Sequence, residues 1–89
     1  MLRLTFETDD AAGPVLRAEG KVVAEWAALL ERECRALLQQ QPVLRLDLSG
    51  VLYVDRDGMR ALRAFAPGEL VLEGCSPLLQ EILGQEERA

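Results

Sequence analysis

Val43–Leu62 reads VLRLDLSGVLYVDRDGMRAL, and this stretch decides the fold. Val43, Leu44, Leu46 and Leu48 form an apolar run that leads into Ser49-Gly50. Near-continuous apolar character over Val43–Leu48 predicts a central strand of a sheet. Ser49-Gly50 reads as a turn. A second apolar run, Val51–Val54, ends at Asp55-Arg56-Asp57-Gly58, and a helical pattern begins at Met59. The expected order is therefore a strand, a loop, and a helix N-terminus that carries charge.

Working outward, Leu2, Leu4 and Phe6 alternate with Arg3, Thr5 and Glu7, the period of a half-buried strand. Asp9–Pro14 reads as a turn. Val15–Gly20 reads as the second strand of a hairpin, ended by Gly20. Val22–Gln40 is the longest helical pattern. Val22, Val23, Trp26, Leu30, Cys34 and Leu37 share one face, and Trp26 is read as core, with Phe6, Phe65 and Tyr53 as the other large core pieces. Glu31 and Arg35 stand in the favourable i,i+4 order on the other face. Asp57–Phe65 reads as a short helix closed by Pro67-Gly68. Glu69–Glu73 reads as a strand with Leu70 and Leu72 on one face. Ser76 then caps a final helix with Pro77 at its first position and Leu78, Leu79, Ile82 and Leu83 as its stripe. Residues 85–89 are expected to fray. The order ββαβαβα predicts a single α/β domain over 1–89, a mixed sheet with parallel βαβ crossovers and helices packed on it.

Composition bounds the function. The chain has 89 residues, nearly half of them apolar, and a net charge of −5. That charge argues against a nucleic-acid partner, which needs clustered positive charge. It also disfavours anionic lipid surfaces. No apolar run approaches the roughly 20 residues of a membrane span. Met1–Asp10 shows no signal-peptide pattern, so the expected location is the cytoplasm. Cys34 and Cys75 have no metal spacing and histidine is absent, which leaves no zinc site. Asp55 and Asp57 lack a third ligand, a histidine or a phosphate-cradling loop, so neither acid–base nor Mg²⁺ chemistry is expected of them. No catalytic residue, metal or cofactor is assigned.

The element order and three segments resemble the STAS family, the sulfate-transporter and anti-sigma-antagonist domains. The first is Asp47-Leu48-Ser49-Gly50-Val51, similar to the family's D-L-S-G-V segment. The second is Asp55-Arg56-Asp57-Gly58, in place of D-S-S-G or D-S-T-G at the start of a helix. The third is the glycine-led turn Gly74-Cys75-Ser76-Pro77. The resemblance implies a STAS-like fold and a protein-binding module rather than an enzyme. It implies a partner such as an anti-sigma factor with a serine-kinase fold. It also puts the docking surface at Asp55, Arg56, Asp57, Gly58, Met59 and Arg60. In that family the kinase phosphorylates a hydroxyl residue just after the first aspartate, and the added charge weakens binding.

Here the resemblance breaks. Arg56 occupies the acceptor position and has no hydroxyl, so the familiar switch is expected to be absent. Other readings stand beside this one. Small STAS proteins also serve as regulatory subunits of bacterial lipid-transport ATPases. A module that only dimerises, through the edge of the first hairpin or an apolar patch, is a third reading. Residue by residue, Asp57 suits an N-cap or a partner-facing carboxylate, and Asp55 suits a loop-holding hydrogen-bond acceptor. Gly58 suits a tight turn or close packing. Arg60 and Arg63 extend a positive patch beside Arg56.

Overall fold

The computed structural model describes residues 1–9, 13–66, 68–77 and 79–81. Alternation of apolar and polar residues builds an antiparallel hairpin from β1 (Leu2–Asp9) and β2 (Gly13–Val22), with Phe6 opposite Leu16 and Leu4 opposite Ala18. The turn expected over Asp9–Pro14 is narrower than that. Asp9, Gly13 and Pro14 belong to the strands, and residues 10–12 lie outside the described residues.

Gly20 does not end β2. The strand runs on to Val22, which is fully buried. Gly20 adopts φ +109°, and a side chain there would strike the Met1 carbonyl. Glycine thus lets the chain pass close to Met1 and continue, where a larger residue would force it away. Val22 is accordingly a strand residue, and the first helix, α1 (Glu25–Leu38), starts later than its apolar pattern indicates.

β3 (Leu44–Val54) crosses to lie parallel to β2, and β4 (Leu70–Glu73) lies parallel to β3. The sheet order is β1-β2-β3-β4, a mixed sheet of four strands. β3 passes straight through Ser49-Gly50, so the turn expected there is instead a bulge. Arg17 pairs with Asp47 but Glu19 with Gly50; Gly20 pairs with Val51 but Lys21 with Tyr53. At each step β3 advances one residue more than β2. Each extra residue flips the side-chain parity of the strand. The buried residues of β3 are therefore Leu44, Leu46, Leu48, then Val51, then Val54. The first bulge leaves an unpaired donor, and Asp47 meets it: the Ser49 N–H donates to Asp47 Oδ1 at 2.9 Å.

α1 and α2 (Arg56–Leu62) pack on each other and against β2 and β3. The core lies between them and the sheet. It holds Ala27, Leu30 and Cys34 from α1, Met59, Ala61 and Leu62 from α2, and Leu16, Leu44, Leu46 and Leu48 from the strands. Trp26 and Phe65 are partly buried against it, as expected of core residues. Phe6 and Tyr53, also expected there, are 46% and 52% exposed: Phe6 lies on the edge strand β1, and the second bulge of β3 turns Tyr53 outward. Residues 77 and 79–81 are helical, the Leu79 N–H donates to Ser76 Oγ at 3.1 Å, and Leu79 is buried. The expected N-cap at Ser76 is thus present. Pro67, Leu78 and residues 82–89 lie outside the described residues.

The other face of the sheet carries cross-strand ion pairs. Arg17 on β2 reaches Glu7 on β1 and Asp47 on β3, each at 3.4 Å, and Arg45 reaches Glu73 on β4 at 2.9 Å. Hydrogen bonds from the Ser49 backbone and hydroxyl, with help from Arg17, hold the Asp47 carboxyl below its ordinary pKa. Its stabilising contribution is present above the unfolded-state value near pH 4 and is lost as pH falls through the lower folded value. Asp47→Ala is expected to cost about 1 kcal/mol at neutral pH. Denaturant titrations across pH should find the difference from wild type closing below about pH 4. A gap that persists in acid would mean the residue acts through packing instead.

Candidate functional site

The charged stretch after β3 folds around one carboxylate. Asp55 is the N-cap of α2, with extended backbone, and its Oδ1 accepts the Gly58 N–H at 2.8 Å. Helix starts leave N–H groups without partners, and a short acceptor side chain at this position satisfies one of them. The helix begins at Arg56, so Asp57 lies in its first turn and does not cap it, contrary to one sequence expectation. Asp55 fulfils the loop-holding role expected of it.

The second oxygen of Asp55 does a different job. Oδ2 accepts the Ala24 N–H at 3.1 Å, at the entry to α1. Ala24 is the N-cap residue of α1 and has no side-chain cap to offer. Its φ of +48° and ψ of −123°, with the Trp26 N–H bonded to the Val23 carbonyl at 2.9 Å, make a tight turn at a position that favours glycine. Asp55 therefore supports the starts of both helices. Its own N–H donates to the Val22 carbonyl at 3.2 Å, which ties the same residue to the end of β2.

Gly58 follows from this closeness. It is buried, and a side chain there would meet the Val22 carbonyl and Val54 Cγ1. The glycine of the D-x-x-G frame is thus a packing requirement. Met59 is also buried, in the core. Of the six residues expected at a docking surface, Arg56, Asp57 and Arg60 present exposed side chains, Asp55 is half-buried, and Gly58 and Met59 act from beneath.

Arg56, Arg60 and Arg63 come together, as their spacing indicates. With Met59 and Ala64 they line an open groove along α2 of about 760 Å³. Beside the loop stand two apolar side chains, one of which, Tyr53, the sequence reading places in the core. Leu52 is 76% exposed and Tyr53 52% exposed. The second bulge of β3 turns both outward. The spacing of the apolar run carries the signal: a strand that alternates strictly from Leu48 would bury Leu52 and leave Val51 out.

Both cysteines are free, Cys34 buried and Cys75 partly buried. Burial first, then the charges of Glu33 and Glu31, push the Cys34 thiol up to about 12. Burial also raises Cys75. Among the described residues, no three Cys, Asp or Glu side chains gather to hold a metal ion. Nor is any described helix long and apolar enough to cross a membrane.

No family model matches the chain, and no curated protein matches it. Solved structures do. An anti-sigma factor antagonist from Mycobacterium paratuberculosis superposes with TM-score 0.72 at 21% identity, over 99% of this chain and 81% of that one. The anti-sigma factor antagonist SpoIIAA in its unphosphorylated form gives TM-score 0.62 at 16% identity, over 92% and 82%. The antisigma-factor antagonist STAS domain from Rhodobacter sphaeroides gives 0.55 at 19%, over 83% and 87%. The likeness is one of fold: this chain has the STAS fold, with the mixed sheet and helix order its sequence predicts.

Three substitutions separate support from display. Asp55→Ala is expected to cost about 1–2 kcal/mol, because it removes the N-cap of α2 and the hydrogen bond to the exposed Ala24 N–H, which passes to water. Gly58→Ala should cost about 2 kcal/mol through the clash with Val22 and Val54. Asp57→Ala, at an exposed site, should stay within about 0.5 kcal/mol. Urea unfolding measures all three, and a large loss at Asp57 with none at Asp55 would reverse the assignment.

Proposed function

We propose that this chain is a non-enzymatic, protein-binding regulatory module that works in the manner of the anti-sigma factor antagonists whose fold it shares. The docking surface of the proposal is the loop from Asp55 to Arg60, with Arg56, Asp57 and Arg60 as the presented side chains. Its partner is a protein, of the anti-sigma factor class with a serine-kinase fold. The module needs no cofactor for this role.

One observation carries the reading: a STAS fold whose D-x-x-G loop is built rigidly from beneath and displays charge outward. Asp55 and Gly58 hold the frame. Arg56 and Arg60 are exposed and, among the described residues, make no side-chain hydrogen bond or ion pair. A rigid loop with uncommitted cations suits recognition, because little ordering entropy is lost on docking.

The proposal includes a departure from a phosphorylation switch. A serine kinase transfers phosphate to a hydroxyl, and Arg56 has none to offer at the acceptor position. Asp57, on the first turn of α2, carries a single negative charge where a phosphate would carry about two. The module is therefore proposed to bind without this form of control.

Pull-down from the native cell lysate tests the reading, with Arg56→Glu as the control and mass spectrometry as the readout. A kinase-fold anti-sigma factor that the variant loses is the expected result. The recovered chain should carry no phosphate on the Asp55–Gly58 peptide, and the melting temperature of Arg56→Glu should stay within a few degrees of wild type. Phosphate on that peptide would sink the unswitched reading. Recovery of a transport ATPase would move the chain to the transporter-subunit class instead.

A further inference from the structure

The groove along α2 does not stop at α2. It shares Arg60 and Ala64 with a second groove of about 360 Å³ that runs between α2 and α1. That one shares Ala28 and Glu31 with a third, on the outer face of α1. Together they form one track across both helices. Its floor between the helices is made of small side chains, Ala24 at the entry to α1 with Ala27 and Ala28 on it, and Ala61 on α2 with Ala64 just after it.

The charge of this track opposes the charge of the chain. Five arginines line it: Arg56, Arg60 and Arg63 on and beside α2, Arg32 and Arg35 on α1. Among the described residues, two acids do, Glu31 and Asp57. The whole chain holds 15 acids against 10 bases, so the lining of the track holds half of the positive charge. On the sheet face, Arg17 and Arg45 are held in ion pairs.

Arg35 is spent on structure. It pairs with Glu31 at 3.1 Å, donates to the Ala64 carbonyl at 3.2 Å and stacks 4.7 Å over the Phe65 ring. This binds α1 to the segment after α2 and consumes the charge of Glu31. Arg32, Arg56 and Arg60 remain exposed, with no hydrogen bond or ion pair among the described residues. Among the described residues, these three cations of an acidic chain stand unpaired on one face.

From this we infer that the α1–α2 face receives an acidic amphipathic helix of a partner protein. The alanine floor lets a third helix approach closely, with its ridge in the groove between two others. The arginines on both sides match acidic residues along the helix edges and steer its approach. The inference rests on the reading of the chain as a protein-binding module, and extends its surface from the loop onto α1 by naming Arg32 as a contact.

NMR titration of the ¹⁵N-labelled chain tests it with three probes: a designed helical peptide with glutamates flanking an Ala/Leu stripe, the same peptide with lysine for glutamate, and a single-stranded oligothymidylate. The acidic peptide should shift amides in 24–36 and 56–64, and the other two probes should not. Arg32→Glu combined with Arg60→Glu should weaken the acidic peptide by roughly tenfold or more. Shifts on the sheet face, an affinity indifferent to the double variant, or equal shifts from oligothymidylate would each overturn the inference. A lysate partner that Arg56→Glu loses and Arg32→Glu keeps would overturn it while leaving the proposed function standing. A captured partner that neither substitution weakens would defeat both.

Discussion

The Asp55 carboxylate is the constraint on which the rest of this structure depends. Its two oxygens accept N–H groups from the first turn of α2 and from the entry to α1, and its own N–H reaches the end of β2. Three elements meet at one residue. Neither helix start has another side-chain cap, and the entry to α1 is a tight turn with an alanine at positive φ. Such a backbone costs on the order of 1–3 kcal/mol and persists only where neighbours hold it. The closeness that lets Asp55 reach Ala24 also brings α2 against the Val22 carbonyl, which is why Gly58 has no side chain.

A loop fixed in this way can display charge without moving. Arg56 and Asp57 face outward because the residues on either side of them are committed inward. The two bulges of β3 work to the same end. Each restores the core parity of the strand, at Val51 and again at Val54, and the second leaves Leu52 and Tyr53 in solvent beside the loop. Core and site are products of the same register shifts. The ion pairs of the opposite face keep that side of the sheet polar.

Much of this was legible in the sequence. Alternation in β1, the apolar run of β3, the Leu70/Leu72 pattern of β4 and the i,i+4 pair of Glu31 and Arg35 all stand where period and spacing place them. The D-x-x-G frame pointed to the loop, and the spacing of Arg56, Arg60 and Arg63 to a basic patch. What was not legible depends on contacts distant in the chain. Gly20 and Ser49-Gly50 are residues that end strands locally, but here pairing with β2 and β3 carries the strands through. Asp55 rather than Asp57 is the cap, because the choice is made by Ala24, 31 positions away. Val22 fits a helical stripe as well as it fits a strand end, and burial beneath Gly58 decides for the strand. The track joining α2 to α1 exists only once the two helices are packed.

The most direct test of this account is amide hydrogen exchange at Ala24 and Gly58 in Asp55→Ala, under conditions where that variant remains folded. If one carboxylate holds both helix starts, the two amides lose protection together while the amides of β2 and β3 keep theirs. If Ala24 keeps its protection while Gly58 loses it, the helix starts are held independently, and Asp55 is an ordinary cap of α2 alone.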